Sequence, residues 1–143
     1  MLPDADLSIC SWNVNSLKVR FEQLKMLLQT QRWDVICLQE TKAIKEQSEV
    51  DLPAYREYWN SAEKKGYSGV GIYSKQAADK VIVGLGHDDI DSEGRYLEIQ
   101  VGNLSVISLY LPSGSSSAER QMIKYSVMER FYPHLADLLN TGR

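Results

Sequence analysis

Cysteine is scarce in this sequence: Cys10 and Cys37 are the only two in 143 residues. Both fall in strand-like apolar runs, where such a residue is ordinarily a small buried hydrophobe of a reducing compartment and not half of a disulfide framework or a thiolate metal site. Histidine is as rare. His87 lies in an acidic stretch and His134 follows Pro133 late in the chain, and both are expected at the surface. No apolar run exceeds about five residues, far short of a membrane span. The opening "MLPDADLSIC" has neither a basic region nor a long apolar stretch, so no signal peptide is read there. Together these absences point to the cytoplasm. A basic excess is missing too: 16 Lys and Arg stand against 19 Asp and Glu, a net charge of -3. Proteins that live on phosphate contacts usually carry positive charge, so composition lends nucleic acid no support as a partner.

What is present is an ordinary globular balance, 43% hydrophobic and 24% charged, in a length that suits one domain with a real core. "LSICSWN" (residues 7–13) reads as a first strand. Leu17, Phe21, Leu24 and Leu28 then recur at helical spacing, with Ser16 as N-cap, and "DVICLQ" (34–39) reads as a second strand. A strand–helix–strand unit of this length joins two parallel strands. Asn13 and Glu40 therefore end on the same sheet edge, the carboxyl edge where α/β proteins bind ligands.

Residues 41–53 are polar and read as irregular, with one helical turn. Further strands are expected at 55–59, 70–75 and 80–86, with an acidic loop over 87–94. The runs 95–101 and 104–111 alternate well around Gly102-Asn103, a hairpin signal. The last segment reads as a helix with Ser116 and Glu119 in a capping box and Met122, Tyr125, Met128 or Phe131, Leu135 and Leu138 on one face. Pro133 is expected to kink or break it.

Asn13, Glu40 and Tyr110 each close an apolar strand. Asn at a strand end is also a common turn residue, Glu after a strand a solvated one, and Tyr110 in "SLYLPSG" a packing residue. As a set they suggest chemistry. A hard cation such as Mg²⁺ binds through one or two carboxylates plus waters and phosphate oxygens, and a phenol can stabilise developing negative charge. A general base, which metal-assisted hydrolysis needs, is missing from the set.

These residues carry a family resemblance. "SWNVNSLKVR" resembles the opening motif of exonuclease III-type AP endonucleases of the endonuclease/exonuclease/phosphatase superfamily. "LQETK", "GYSGVGIYS", "GRYLEI" and "SLYLPSG" resemble its following blocks in order. The resemblance implies an α/β fold, here half of a four-layer sandwich of two mixed sheets flanked by helices, with residues 1–143 forming the N-terminal portion of a single domain. It implies Mg²⁺- or Mn²⁺-dependent cleavage of DNA phosphodiesters: abasic-site incision and 3′-end trimming in base excision repair. By motif position, Glu40 ligates the metal and Asn15 lies near its water shell. Asn13 orients water and phosphate, and Tyr110 contacts the scissile phosphate. Lys42, Tyr67 and Arg95 approach the DNA backbone.

The departures are equally specific. The family runs to nearly twice this length, and its Gly-Asp-x-Asn motif, a further Asp and a terminal Ser-Asp-His are absent from these residues. Ser16 also stands where glycine is common. The expectation is an inactive N-terminal half whose partners are its missing C-terminal half and double-stranded DNA with an abasic site or a 3′ end, with no membrane, and a monomer when intact. Two alternatives remain. One is a superfamily phosphoesterase for phosphoinositide or sphingomyelin, although those relatives carry a Thr-His pair where this chain has "YLPSG". The other is a non-catalytic half-domain acting as a binding module.

Overall fold

Apolar alternation at the N-terminus, followed by a helical stripe, gives the parallel pair expected of it. In the computed structural model, which describes residues 6–47 and 53–143, β1 (Ile9–Asn13) and β2 (Val35–Gln39) flank α1 (Leu17–Gln29). They run parallel with Asn13 opposite Gln39. Residues 48–52, part of the segment expected to be irregular, lie outside the described residues; before them is one 3-10 turn, Lys45–Gln47. β3 (Arg56–Asn60) and β4 (Val70–Ser74) complete a sheet ordered β1-β2-β4-β3. β5 (Lys80–Val83), β6 (Tyr96–Val101) and β7 (Leu104–Leu109) form a second, antiparallel sheet. Gly102, at φ +57°, turns the β6–β7 hairpin.

Side-chain alternation then builds four layers. Ile36 and Leu38 of β2 face Leu17, Leu24 and Leu28 of α1, all buried. Val35 and Cys37 face the other way and pack with Val70, Ile72, Leu97, Ile99 and Val106 between the sheets. Every residue of β2 is therefore buried, which is why it reads as an unbroken apolar run. Outside the second sheet lies α3 (Ala118–Asn140), whose Phe131 and His134 rings meet Tyr96 of β6 edge-on. The layers are α1, first sheet, second sheet and α3. Among the described residues no helix is long and apolar enough to cross a membrane. Both cysteines are free, Cys37 buried and Cys10 half-buried.

Several local expectations are corrected. The cap of α3 is Ser117, whose side chain accepts from Arg120 N at 3.1 Å, and not Ser116; Ser16 is the N-cap residue of α1 as expected, at φ 87°, but its hydroxyl makes no cap bond. The packed stripe of α3 includes Val127, Phe131 and His134, while Met122 and Tyr125 are 72% and 51% exposed. Pro133 does not break the helix, which runs on through it; it and Glu129, whose carbonyl loses its donor, are both exposed, so water can take the missing bond. The acidic stretch contains a short helix, α2 (Asp88–Asp91), and His134 is no free surface residue, since its Nε2 lies 2.6 Å from the Tyr96 hydroxyl.

Candidate functional site

Where β1 and β2 end, the backbone keeps zipping. Val14 N donates to Gln39 O (3.0 Å), Ser16 N to Glu40 O (2.9 Å) and Leu17 N to Thr41 O (2.8 Å). A third loop joins through Thr41 N to Gly69 O (3.1 Å) and Lys42 N to Ser68 O (2.8 Å). This stitching forces left-handed backbone at Asn15, Ser16, Glu40, Lys42 and Ser68, which lie at φ 45–87°; elsewhere among the described residues only Gln31 is a non-glycine with positive φ. Each such residue costs on the order of 1 kcal/mol, and strain concentrated in this way persists only where surrounding structure over-determines it.

The side chains on this floor converge. Asn13 Oδ1 accepts from the Asn15 N–H at 3.1 Å. The Lys42 ammonium donates to Asn15 Oδ1 at 2.9 Å and lies 3.3 Å from Glu40 Oε1. Asn15 and Glu40 thus present two hard oxygens to one cation-sized position. Tyr110 stands across from them, half-buried. Burial and then the Glu40 charge push its phenol above the ordinary range, with Arg95 pulling the other way. The hydroxyl therefore stays protonated at neutral pH and able to donate.

Two residues expected at the DNA are placed differently from each other. Tyr67 is half-buried, and its hydroxyl donates to Glu93 at 2.7 Å. Arg95 is buried, at 4% exposure. Its Nη2 donates to Tyr67 Oη (3.0 Å) and Glu93 (2.9 Å), and its Nη1 to the Tyr110 carbonyl (3.2 Å). The guanidinium expected to approach the DNA backbone is thus an internal one, because Glu93, Tyr67 and Tyr110 enclose it. Burial disfavours ionised Glu93, but the bonds from Tyr67 and Arg95 prevail and its pKa is lowered.

Behind the site, Gln39 bridges the sheets, donating through Nε2 to Ser11 Oγ (3.2 Å) and Ser108 Oγ (3.1 Å); Ser108 Oγ donates to Leu38 O (2.9 Å). Asn60 Nδ2 makes a second tie to Tyr96 O at 2.6 Å. Sequence reasoning missed Gln39, Thr41, Ser108 and Glu93. A polar residue at an inward position of a buried strand was the available signal for Gln39 and Ser108, and the glycine of "GYSGVG" was the signal for Thr41, since a Cβ at Gly69 would stand 2.4 Å from Thr41 Oγ1. Nothing in the sequence marks Glu93. The acidic stretch is structural: the Asp91 carboxylate accepts from the N–H groups of Leu85, Gly86 and His87. Among the described residues no three His, Cys, Asp or Glu side chains cluster to hold a metal.

Residues 10–141 match the model of the Endonuclease/Exonuclease/phosphatase family. The chain belongs to this family. It is 39% identical over 116 residues to an exodeoxyribonuclease of Bacillus subtilis, covering 80% of this chain and 46% of that protein. To the DNA repair nuclease APEX1 of Danio rerio it is 31% identical over 122 residues, 81% of this chain and 39% of the relative. Among solved structures, an AP endonuclease from Archaeoglobus fulgidus superposes with a TM-score of 0.75 at 28% identity, over 91% of this chain and 51% of that one. A 3′ phosphatase, NExo, from Neisseria, bound to product DNA hairpin, gives 0.69 at 28% identity, over 94% and 51%. The chain spans about half the length of these solved structures, and the fold is the α/β architecture of its AP endonuclease neighbours over that half.

Proposed function

We propose that this chain carries the N-terminal share of a divalent-metal-dependent phosphodiesterase site acting on DNA, with abasic-site incision and 3′-end trimming as its reactions in base excision repair. The observation that carries the reading is the convergence of Asn15 and Glu40 oxygens on one cation position, with a protonated phenol, Tyr110, facing Glu40. That donor set suits Mg²⁺ or Mn²⁺, which takes oxygen ligands, needs only one or two carboxylates, and keeps waters for the rest. Glu40 would ligate the ion directly and Asn15 its water shell. The bound ion supplies charge stabilisation at the phosphate. Tyr110 donates a hydrogen bond to a phosphate oxygen as negative charge develops there, and the Asn13 amide orients the phosphate. Lys42, freed from Asn15 and Glu40 when that position holds a metal, has a flexible stem with which to meet the DNA backbone, and Tyr67 lies at the rim of the same edge.

A general base is absent among these residues, so in our reading a complementary half of the domain supplies it, and the 143 residues alone do not turn over. Double-stranded DNA and that complementary half are the proposed partners, the intact protein is a monomer, and the cytoplasm is its compartment. The test is incision of an abasic-site duplex, with Mg²⁺ and with chelator, by the chain joined to a complementary half. Metal-dependent incision that Glu40→Ala abolishes, with the fold retained, is the expected result. Full activity in Glu40→Ala would remove that residue from the site, and hydrolysis of phosphoinositide or sphingomyelin in place of DNA would replace the substrate class.

A further inference from the structure

We propose that Arg95 is a positioning residue that fixes Tyr110 at the phosphate position and makes no contact with DNA itself; the role of the positioned phenol rests on the function proposed above. Strand pairing ends at Tyr96 opposite Leu109, so Tyr110 lies one residue past the hydrogen-bonded ladder. Arg95 extends that ladder alone. Its carbonyl accepts from Tyr110 N at 2.9 Å, and its Nη1 donates to Tyr110 O at 3.2 Å. Both main-chain polar groups of Tyr110 are thereby held by one residue. The guanidinium also lies 5.1 Å from the Tyr110 ring centroid and 5.9 Å from that of Tyr67, within range of cation–π attraction to each.

The other side of the guanidinium is anchored. Nη2 meets Tyr67 Oη and Glu93, and Tyr67 in turn donates to Glu93. The result is a planar fork between a fixed carboxylate and the segment bearing Tyr110. A fork of this kind suits Arg and not Lys, whose ammonium is a point charge on a flexible stem. Stability alone does not account for a buried charge here. Arg95 Nε is buried without a partner, an unmet donor that carries a desolvation penalty, and buried ion pairs are in general weak stabilisers. At 4% exposure the side chain has little surface to offer a phosphate.

The test is read in three ways, the first two in Arg95→Lys. In the 143-residue chain, ¹³C-tyrosine NMR should show the Tyr110 ring resonance shifted or broadened while that of Tyr55, on the α1 side of the first sheet, stays in place. In the complemented protein, kcat should fall by roughly 10-fold or more with KM nearly unchanged. The slope of log affinity for duplex DNA against log salt, read in the charge-removing variant Arg95→Gln, should be unaltered. Tyr67→Phe, which removes one anchor of the guanidinium and little packing, should move the Tyr110 resonance in the same direction and serves if Arg95→Lys does not fold. A Tyr110 resonance unmoved in either folded variant overturns the proposal. So does a salt slope smaller by about one, the signature of a lost phosphate contact, or a lowered unfolding midpoint with kcat per folded molecule unchanged. Failure of the wild type to cleave DNA would defeat the proposed function, and the NMR arm would still decide whether Arg95 positions Tyr110.

Discussion

Gly69→Ala is the sharpest perturbation of the stitched floor. Gly69 sits at φ +92°, and a Cβ built there stands 2.4 Å from Thr41 Oγ1, in a fully buried residue. Two costs add. Forcing an L-residue into left-handed backbone takes about 1–2 kcal/mol, and the overlap about 1–3 kcal/mol more, the range for overpacking. The sum of about 2–5 kcal/mol corresponds to a drop of roughly 6–15 °C in the unfolding midpoint for a domain near this size. Urea unfolding of the chain should show the midpoint concentration falling with the slope unchanged. The steric share is separable. Thr41 Oγ1 has no hydrogen-bond partner, so Thr41→Ala removes the obstructing atom without breaking a bond, and in the double variant only the backbone share of about 1–2 kcal/mol should remain. Gly66→Ala is the control: its φ is +68° with nothing within 4 Å, so it too should show only the backbone share. A loss below about 0.5 kcal/mol in Gly69→Ala, within ordinary surface scatter, or no recovery in the double variant, would refute the close approach of the two loops.

Three further outcomes are expected. Tyr110→Phe in the complemented protein should slow cleavage by on the order of 10²-fold, comparable with losing one transition-state donor; an unchanged rate would make Tyr110 a packing residue. Ser117→Ala should destabilise the chain by about 1 kcal/mol and Ser116→Ala by nothing measurable in denaturant unfolding. Glu98 is fully buried. Burial disfavours its ionisation, but hydrogen bonds from Tyr96, Gln100 and Ser105 and the nearby His134 hold its pKa below normal. A depressed folded-state pKa gives stability that is fully present above the unfolded value, near 4.3, and lost as pH falls through the folded one. The stability margin of wild type over Glu98→Gln should therefore be widest above about pH 5 and shrink in acid; a margin independent of pH would contradict this.

The site edge was legible in the sequence because the parallel crossover is a strong geometric rule: once 7–13 and 34–39 were strands around a helix, Asn13 and Glu40 had to share an edge. The hairpin at Gly102-Asn103 was legible for the same local reason. The buried stripe of α3 was not, because helical spacing alone offers two adjacent apolar stripes. Tertiary contact with Tyr96 selects the one bearing Phe131 and His134, leaving Tyr125 and Leu139 exposed. Pro133 was read as kinking or breaking the helix; that it does not break it was missed because local rules ignore which side of a helix faces water. Arg95 was expected to approach the DNA backbone because its enclosure by Glu93, Tyr67 and Tyr110 depends on a loop and a strand end that meet only in the fold. The left-handed backbone at Glu40 and Lys42 was equally invisible, being imposed by bonds from Ser16 and to Ser68 and not by glycine.

The central claim is that the oxygens of Glu40 and Asn15 form a divalent-cation position beside Tyr110. Paramagnetic broadening by Mn²⁺, read residue by residue in the NMR spectrum of the 143-residue chain, tests it most directly. Broadening centred on Asn13, Asn15, Glu40 and Tyr110, and lost in Glu40→Gln, is the predicted result. Broadening that is absent there, unaffected by Glu40→Gln, or centred instead on the carboxylates of Asp88, Asp89 and Asp91 would contradict it.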